Sequence, residues 1–240
     1  MSWLQPVAAG LDDAAEPITF FFRDDDAGWE DAALLQLLDV FEECGAPIDL
    51  AAIPESLDIS LADELSKRLE RTAVRVHQHG RRHVNHQREG RRCEFGSDRS
   101  YVQQHTDIVA GKAKLLDLFA TIDPIFTPPW NRCTEATAAC LAELSFRVLS
   151  CDTTASVHAV PGLDEVPVSV DWFAKGPVGQ IGLDDLGRVI AHRSTLGAPV
   201  GVMLHHGVTD ASDLVAIGQF VTLLMGHPNA NVVALMATLD

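Results

Sequence analysis

Basic residues are scarce in this chain. Lys and Arg together number 18 against 34 Asp and Glu, which gives a formal net charge of -16 at pH 7. A field of that sign repels nucleic-acid backbones and anionic membranes. We therefore expect neither a nucleic-acid partner nor a membrane partner.

Cysteine is also sparse, and its residues form neither a CxxC pair nor an even set. The five are Cys44, Cys93, Cys133, Cys140 and Cys151. This pattern argues against a disulfide-stapled domain and favours a reducing compartment. The sequence has no run of about 18 apolar residues and no basic start followed by an apolar segment. These features predict a cytoplasmic protein.

Apolar stretches of strand length alternate with helix-like stretches along all 240 residues. Eight stretches are predicted as strands: Ile18–Phe22, Ile48–Ile53, Val74–His77, Ile125–Thr127, Phe146–Leu149, Val166–Val170, Val200–Leu204 and Val232–Met236. Such alternation is typical of α/β proteins, in which βαβ units build a parallel sheet.

Amphipathic stretches between the strands predict helices at Glu30–Cys44, Leu61–Leu69, Arg99–Ala120 and Thr134–Leu144, with Gly45 as the C-cap of the first. Seven or eight β/α units in this length favour a distorted (β/α)7–8 barrel, complete or incomplete, with an open doubly wound sheet as the alternative. The chain shows no linker or repeat, so residues 1–240 are expected to form a single domain. In a barrel, active residues lie just past the carboxyl ends of the strands.

Three consecutive carboxylates follow the first predicted strand, in the run Arg23-Asp24-Asp25-Asp26. Adjacent like charges repel and raise one another's pKa, so a bound metal or the neighbouring Arg23 would relieve the crowding. A solvated acidic turn, or a helix cap before Glu30, is the alternative interpretation.

Histidines cluster after the third predicted strand, where four of the ten fall between His77 and His86. His79 and His83 are four residues apart, a spacing that can bring two imidazoles together for zinc or for nickel, iron, copper or cobalt. His77, Asn85 and His86 are candidates for supporting groups or alternative ligands. Ordinary surface histidines are the competing interpretation.

Two further strand ends carry groups that could take part in catalysis. Pro128 and Pro129 stiffen one turn and leave the amide of Trp130 as its next free donor, which could hold an oxyanion. His205 and His206 end the seventh predicted strand, where a histidine could act as a general acid. A stiff loop and a buried, hydrogen-bonded imidazole are the respective alternatives.

Taken together, these clusters resemble the motifs of the polysaccharide deacetylase superfamily, the NodB-like proteins of carbohydrate esterase family 4 (CE4). The resemblance extends from the first to the seventh predicted strand. The family's Asp-Asp motif is matched by Asp25 as base and Asp26 as metal ligand, with Asp24 an alternative by a one-residue slip. Its second motif, His-Ser/Thr-x-x-His, is matched by the metal ligands His79 and His83.

The family's third motif, Arg-x-Pro-aromatic-Gly, is matched only in part. Trp130 occupies the aromatic position, whose backbone amide helps to hold the oxyanion, but Thr127 replaces the Arg and Asn131 replaces the Gly. Because that Arg orients the catalytic Asp in the family, the resemblance implies that Arg23 or Arg132 substitutes for it.

The last two family motifs are matched unequally. The fourth is an Asp-containing loop that supports the motif-three Arg, and only Asp152 and Asp171 are weak candidates for it. The fifth is an apolar strand that ends in the acid histidine, matched by His205 with His206 as the alternative.

The resemblance implies a distorted, often incomplete barrel and a metal-dependent hydrolase from a divergent branch of the superfamily. Its expected reaction is removal of an N-acyl group, most simply N-acetyl, from a small-molecule or oligosaccharide substrate or a related amide. Zinc is the first choice of metal, with nickel, iron or cobalt as alternatives. Hydrolysis of a cyclic amide, ureide or ester and a non-catalytic metal- or sugar-binding barrel are the competing hypotheses.

Overall fold

The computed structural model describes residues 2–176 and 179–239. Strands alternate with helices over most of this part of the chain, but five short strands follow one another between residues 148 and 180. The strands are β1 (Ile18–Ala27), β2 (Ile48–Ala52), β3 (Val74–His79), β4 (Ile125–Thr127), β5 (Val148–Leu149), β6 (Asp164–Glu165), β7 (Val170–Asp171), β8 (Lys175–Gly176), β9 (Gly179–Gln180), β10 (Val200–Leu204) and β11 (Ala230–Val232). The α-helices are α1 (Gln5–Asp12), α2 (Asp31–Cys44), α3 (Ile59–Arg71), α4 (Tyr101–Leu118), α5 (Glu135–Glu143), α6 (Leu183–Ser194) and α7 (Ala211–Gly226).

The main sheet is parallel and runs in the order β6-β5-β4-β3-β2-β1-β10-β7, with β11 paired to the start of β1. Only a short link joins Glu165 of β6 to Val170 of β7, although these strands pair at opposite ends of that order. Five Cα steps span at most about 17 Å. The sheet must therefore curl until its edges face each other, as a distorted, incomplete (β/α) barrel. The predicted barrel is confirmed, and the open doubly wound alternative is wrong.

The predicted strand Val166–Val170 is wrong in its extent. Pro167 has no N–H to donate to a ladder, and the segment divides into β6 and β7 on either side of it. Between them, Val168 N donates to Cys151 O at 2.8 Å and Ser169 N donates to Gly201 O at 2.8 Å. The segment thus contacts both edges of the curled sheet in turn.

Other predicted strands differ from the observed ones at their ends. β2 ends one residue early, at Ala52, β3 continues two residues further, to His79, and β5 begins two residues late, at Val148. The predicted strand Val232–Met236 pairs only up to Val232 and then turns into a 3-10 helix over Leu235–Leu239. The predicted strand Ile18–Phe22 continues to Ala27, because the charged residues that follow it find partners inside the protein. All four predicted helices are present as α2 to α5, and Gly45 caps α2 in the left-handed region at φ +66°.

Side chains of β1 alternate between the two faces of the sheet. Phe20 and Phe22 pack outward against the helices, with the Phe22 ring centroid 5.1 Å from that of Phe41 on α2. Phe21 points into the barrel and packs with Met203 of β10. A Cβ at Gly201 would overlap the Phe21 ring, so this inward position of β10 admits only glycine. The same alternation carries the charged residues that follow Phe22 to opposite faces.

Two sequence expectations concern cysteines and membrane spans. All five cysteines are free thiols. No helix in the described part of the chain has the length and apolar character needed to cross a bilayer.

Asp49 on β2 is a fully buried carboxyl. Its Oδ2 accepts a hydrogen bond from Leu235 N at 2.8 Å, and its Oδ1 has no hydrogen-bond partner in the described part of the chain. Burial raises the pKa of Asp49 to about 7, although the Leu235 amide opposes that shift. The folded protein therefore keeps this proton at pH values where the unfolded chain has lost it.

We predict that Asp49 makes the protein less stable as the pH rises from about 4 to about 7, by up to about 1.4 kcal/mol per pH unit. Asp49→Asn keeps an acceptor for Leu235 N but cannot ionise. The free energy of unfolding of the variant minus that of the parent should therefore be larger at pH 8 than at pH 5. Urea unfolding at both pH values measures this, with exposed Asp63→Asn as the control. The same pH dependence in Asp49→Asn and the parent would contradict the prediction.

Candidate metal centre and active site

The three carboxylates at the end of β1 each meet a different partner. Asp24 points outward, where its Oδ2 lies 2.6 Å from Nδ1 of His206 and its Oδ1 accepts the His206 backbone N–H at 2.9 Å. The other ring nitrogen of His206 donates to Trp29 O at 2.7 Å. Burial lowers the pKa of His206, but Asp24 and the Trp29 carbonyl outweigh it and raise that pKa to about 9. Asp24 and His206 thus form a buried ion pair between β1 and the end of β10.

Asp25 points into the barrel and pairs with Arg23. Nε of Arg23 donates to Oδ1 at 2.7 Å and Nη2 donates to Oδ2 at 3.0 Å, so the carboxylate is held at both oxygens. Burial raises the pKa of Asp25, but the combined lowering by Arg23, His79 and His205 is larger, so the pKa lies below its usual range. Asp25 is thus held ionised and oriented.

The remaining donors of Arg23 are also occupied. Nη1 donates to both the carbonyl and the hydroxyl oxygen of Ser150 at 2.8 Å, and Nη2 donates to Oδ1 of Asn131 at 2.7 Å. Arg23 is fully buried. Of the two arginines named as substitutes for the one missing at Thr127, Arg23 contacts Asp25, and Arg132 does not contact it in the described residues.

Asp26, His79 and His83 converge on one point at the barrel mouth. Oδ1 of Asp26 lies 3.2 Å from Nε2 of His79 and 3.2 Å from Nε2 of His83. Neighbouring ligand atoms bound at about 2.0–2.2 Å from one metal ion lie about 2.8–3.6 Å apart, the shorter values in octahedral and the longer in tetrahedral geometry. Oδ1 is buried and, in the described part of the chain, lacks a hydrogen-bond partner. These three residues fit a divalent metal ion.

The pKa values of Asp26, His79 and His83 are shifted in different directions. Burial raises the pKa of Asp26, but the imidazoles of His79 and His83 lower it to about 2. Burial lowers the pKa of His83 to about 4, and His79 adds to that effect. For His79, burial is outweighed by Asp26 and Asp25, and the pKa is raised. Nδ1 of His79 donates to Thr127 O at 2.9 Å, which directs Nε2 toward Asp26.

His205 faces the carboxylates from β10. Residues Val202 and Leu204 of that strand pack outward and Met203 packs inward, so alternation directs His205 into the barrel and His206 away from it. The His205 imidazole lies near enough to lower the pKa of both Asp25 and Asp26. Within residues 2–176 and 179–239 its ring makes no hydrogen bond.

No model of a known protein family matches this sequence, and no curated protein is similar to it. Several solved structures are similar in fold, including the following three. A putative polysaccharide deacetylase from Mycobacterium smegmatis is 13% identical with a TM-score of 0.74, covering 94% of this chain and 90% of that one. A family 4 carbohydrate esterase from Streptomyces lividans in complex with acetate is 14% identical with a TM-score of 0.60, covering 95% and 96%.

The third is a CE4 family pseudoenzyme from Bacillus anthracis, 11% identical with a TM-score of 0.63, covering 94% of this chain and 66% of that one. The chain has the CE4 deacetylase fold. At these identities the likeness concerns the fold, and the chemistry of the site depends on its own residues.

Relative to the CE4 motif, the metal-site loop of this chain replaces the hydroxyl residue with Gly80. A Cβ at Gly80, where φ is +58°, would overlap the carboxylate of Glu94 and the ring of Pro129. That carboxylate is fully buried and accepts N–H bonds from Arg82 at 2.9 Å, His83 at 3.2 Å and Arg81 at 3.3 Å. Glu94 thus organises the turn that carries His83.

Two tryptophans flank the metal-site loop in this CE4 fold. The His83 ring centroid lies 4.4 Å from that of Trp130 and 4.8 Å from that of Trp29. The backbone N–H of Trp130 has no acceptor among the residues that the structure describes. Trp130 and Asn131 are in the left-handed region at φ +57° and +55°, as are Asp26 and His83. Such strain commonly collects at functional sites.

The other sequence candidates lie outside this cluster. Oδ1 of Asn85 accepts N–H bonds from Gln87 and Cys93, and the His86 amide donates to Cys93 O, so both residues brace the loop after His83. His77 lies inside the barrel with Nε2 2.9 Å from Oγ1 of Thr127.

The two candidates for the fourth motif do not support Arg23. Asp152 accepts from Thr154 N at 2.7 Å, and Asp171 accepts from Phe173 N at 2.9 Å. Asp171 lies near His205, which opposes the raising of its pKa by burial. Sequence reasoning missed Ser150, Glu94 and Trp29. The polar side chain of Asn131 at the family's Gly position was a signal that this turn makes a side-chain contact, which the structure shows to be with Arg23.

We predict that Glu94→Gln destabilises the protein by about 1–3 kcal/mol, because an amide cannot accept all three N–H groups as the carboxylate does. Urea unfolding measures the loss. Glu89→Gln changes an exposed carboxylate of the same loop and should leave stability within about 0.5 kcal/mol. Equal stabilities of the two variants would contradict the role of Glu94.

Proposed function

We propose that this protein is a metal-dependent hydrolase that removes an N-acyl group, most simply N-acetyl, from a carbohydrate or related amide. One observation carries the proposal. Three residues spaced to hold a metal ion lie together with the carboxylate of Asp25 and the imidazole of His205 at the carboxyl ends of parallel strands. The fold shared with CE4 deacetylases, including an esterase in complex with acetate, supports it. Residues 1–240 would form one catalytic domain.

Asp26, His79 and His83 would hold the metal. A mixed nitrogen and oxygen set suits zinc first and also nickel, iron or cobalt. When bound, such an ion polarises the acyl carbonyl and lowers the pKa of a bound water. Three protein ligands leave positions open for water and substrate, as a catalytic site requires.

The remaining residues move protons and hold charge. Asp25 removes a proton from the attacking water, and Arg23 keeps its carboxylate ionised and oriented. The backbone N–H of Trp130 donates to the oxyanion of the tetrahedral intermediate. His205 then gives a proton to the leaving amine nitrogen.

In this assignment Asp24 and His206 are a supporting pair and take no part in proton transfer. Both ring nitrogens of His206 are engaged in hydrogen bonds, and Asp24 faces away from the barrel. The one-residue alternatives for base and acid are therefore disfavoured.

A non-catalytic barrel is the second candidate, favoured by Thr127 at the family's Arg position and by the pseudoenzyme among the similar structures. It is weakened by Arg23, which supplies a two-point guanidinium contact to Asp25 from β1. Cyclic amides, ureides and esters present the same kind of carbonyl, so they belong in the substrate panel.

We predict that the purified protein hydrolyses at least one N-acyl substrate, loses that activity with a chelator and regains it with zinc. Asp25→Asn and His205→Gln should each lower kcat by at least about 100-fold without loss of bound metal. Asp63→Asn, which changes an exposed carboxylate of α3, is the control for the kinetic assay. Full activity in either of the first two variants would overturn the assigned roles, and metal binding without turnover of any substrate would favour the non-catalytic barrel.

A further inference from the structure

A pocket of about 440 Å³ lies beside the buried Arg23–Asp25 pair. Asn131, whose amide oxygen binds Arg23, forms part of its wall, and the rest comes mainly from loops at residues 87–97 and 151–158. This volume lies within the range of small-molecule sites, about 300–1,000 Å³. The pocket therefore adjoins the catalytic cluster and can accommodate a part of a substrate that extends beyond the reacting group.

Two arginines of this pocket are unpaired. Arg91 and Arg132 line it, and neither side chain makes an ion pair or hydrogen bond within residues 2–176 and 179–239. The nearby Arg81, in contrast, binds both Glu55 and Asp107. Two guanidinium groups on the wall of one pocket, without a partner in the described residues, indicate a site for a negative charge from outside. Glu89 is the one carboxylate on the wall, and it is exposed.

The wall also carries polar groups suited to a hydroxylated ligand. The hydroxyl side chains of Ser97, Thr154 and Ser156 line it, although that of Thr154 donates to Asp152 and that of Ser97 accepts from Gln87 Nε2. Oε1 of Gln87 is buried and, in the described residues, accepts no hydrogen bond. His158 completes this side, with Nε2 3.5 Å from Sγ of Cys133. An acceptor without a donor and several hydroxyls match a sugar-like ligand better than an apolar one.

We infer that this pocket binds an anionic group, a carboxylate or a phosphate, on the acylated substrate, with Arg91 and Arg132 as its ligands. The inference rests on the proposed function, because it extends the substrate of that same site. Guanidinium groups bind both anions through paired N–H bonds. The substrate class is thus an acidic N-acylated sugar or amide. The protein has a net charge of -16, and the two arginines make this pocket locally positive.

The test is equilibrium binding by calorimetry to the His205→Gln protein, with zinc present and absent, because this variant is expected to hydrolyse too slowly to consume a probe. The probes are N-acetylglucosamine 6-phosphate, N-acetylmuramic acid and neutral N-acetylglucosamine. We expect at least one acidic probe to bind about tenfold or more tightly than the neutral one. Arg132→Ala and Arg91→Ala should each remove most of that preference. Arg92→Ala removes the same charge from a residue outside the pocket and should preserve it.

Equal loss of preference in Arg92→Ala and Arg132→Ala would assign the effect to the general field and overturn the inference. Equal affinity for acidic and neutral probes, or no binding of the acidic probes at 10 mM, would also overturn it. Binding needs no turnover, so the result is separable from the proposed function. An arginine-dependent preference in a protein that hydrolyses nothing would contradict only the hydrolase, whereas hydrolysis without the preference would contradict only the subsite.

Discussion

Three consecutive carboxylates at the end of a buried strand impose the constraint on which the site depends. A buried charge without a partner costs several kcal/mol, so each of Asp24, Asp25 and Asp26 requires its own compensation. Strand alternation separates the first two, and the chain supplies His206 on the outer face and Arg23 on the inner one. In the described part of the chain, Asp26 is paired only with two imidazoles at 3.2 Å, neither of which is a permanent cation. In the proposed assignment, a bound metal supplies the missing charge.

The same constraint explains how the site departs from the CE4 motifs without losing their geometry. Arg23 contacts Asp25 from within its own strand, which leaves position 127 free to be threonine. Ser150 and Asn131 occupy the remaining guanidinium donors. Glu94 accepts three backbone N–H bonds in the turn that carries His83, and Gly80 at the family's hydroxyl position leaves room for that carboxylate.

Much of this arrangement could be predicted from local patterns. Apolar runs located most strands, and the four-residue spacing of His79 and His83 placed them together. Contacts between residues far apart in the chain could not be predicted, such as Arg23 with Ser150 across 127 positions. The choice between His205 and His206 depends on the face of β10, which a one-residue error reverses. The break at Pro167 arises because one short segment contacts both edges of the curled sheet.

The central claim is that Asp26, His79 and His83 hold a metal ion, and zinc binding by the purified protein tests it most directly. We predict about one equivalent of tightly bound zinc, lost in the His79→Ala, His83→Ala double variant. It should be retained in His105→Ala, His192→Ala, which removes two imidazoles outside the site. No bound metal after incubation with zinc, nickel, iron and cobalt, or equal zinc content in both double variants, would contradict the account.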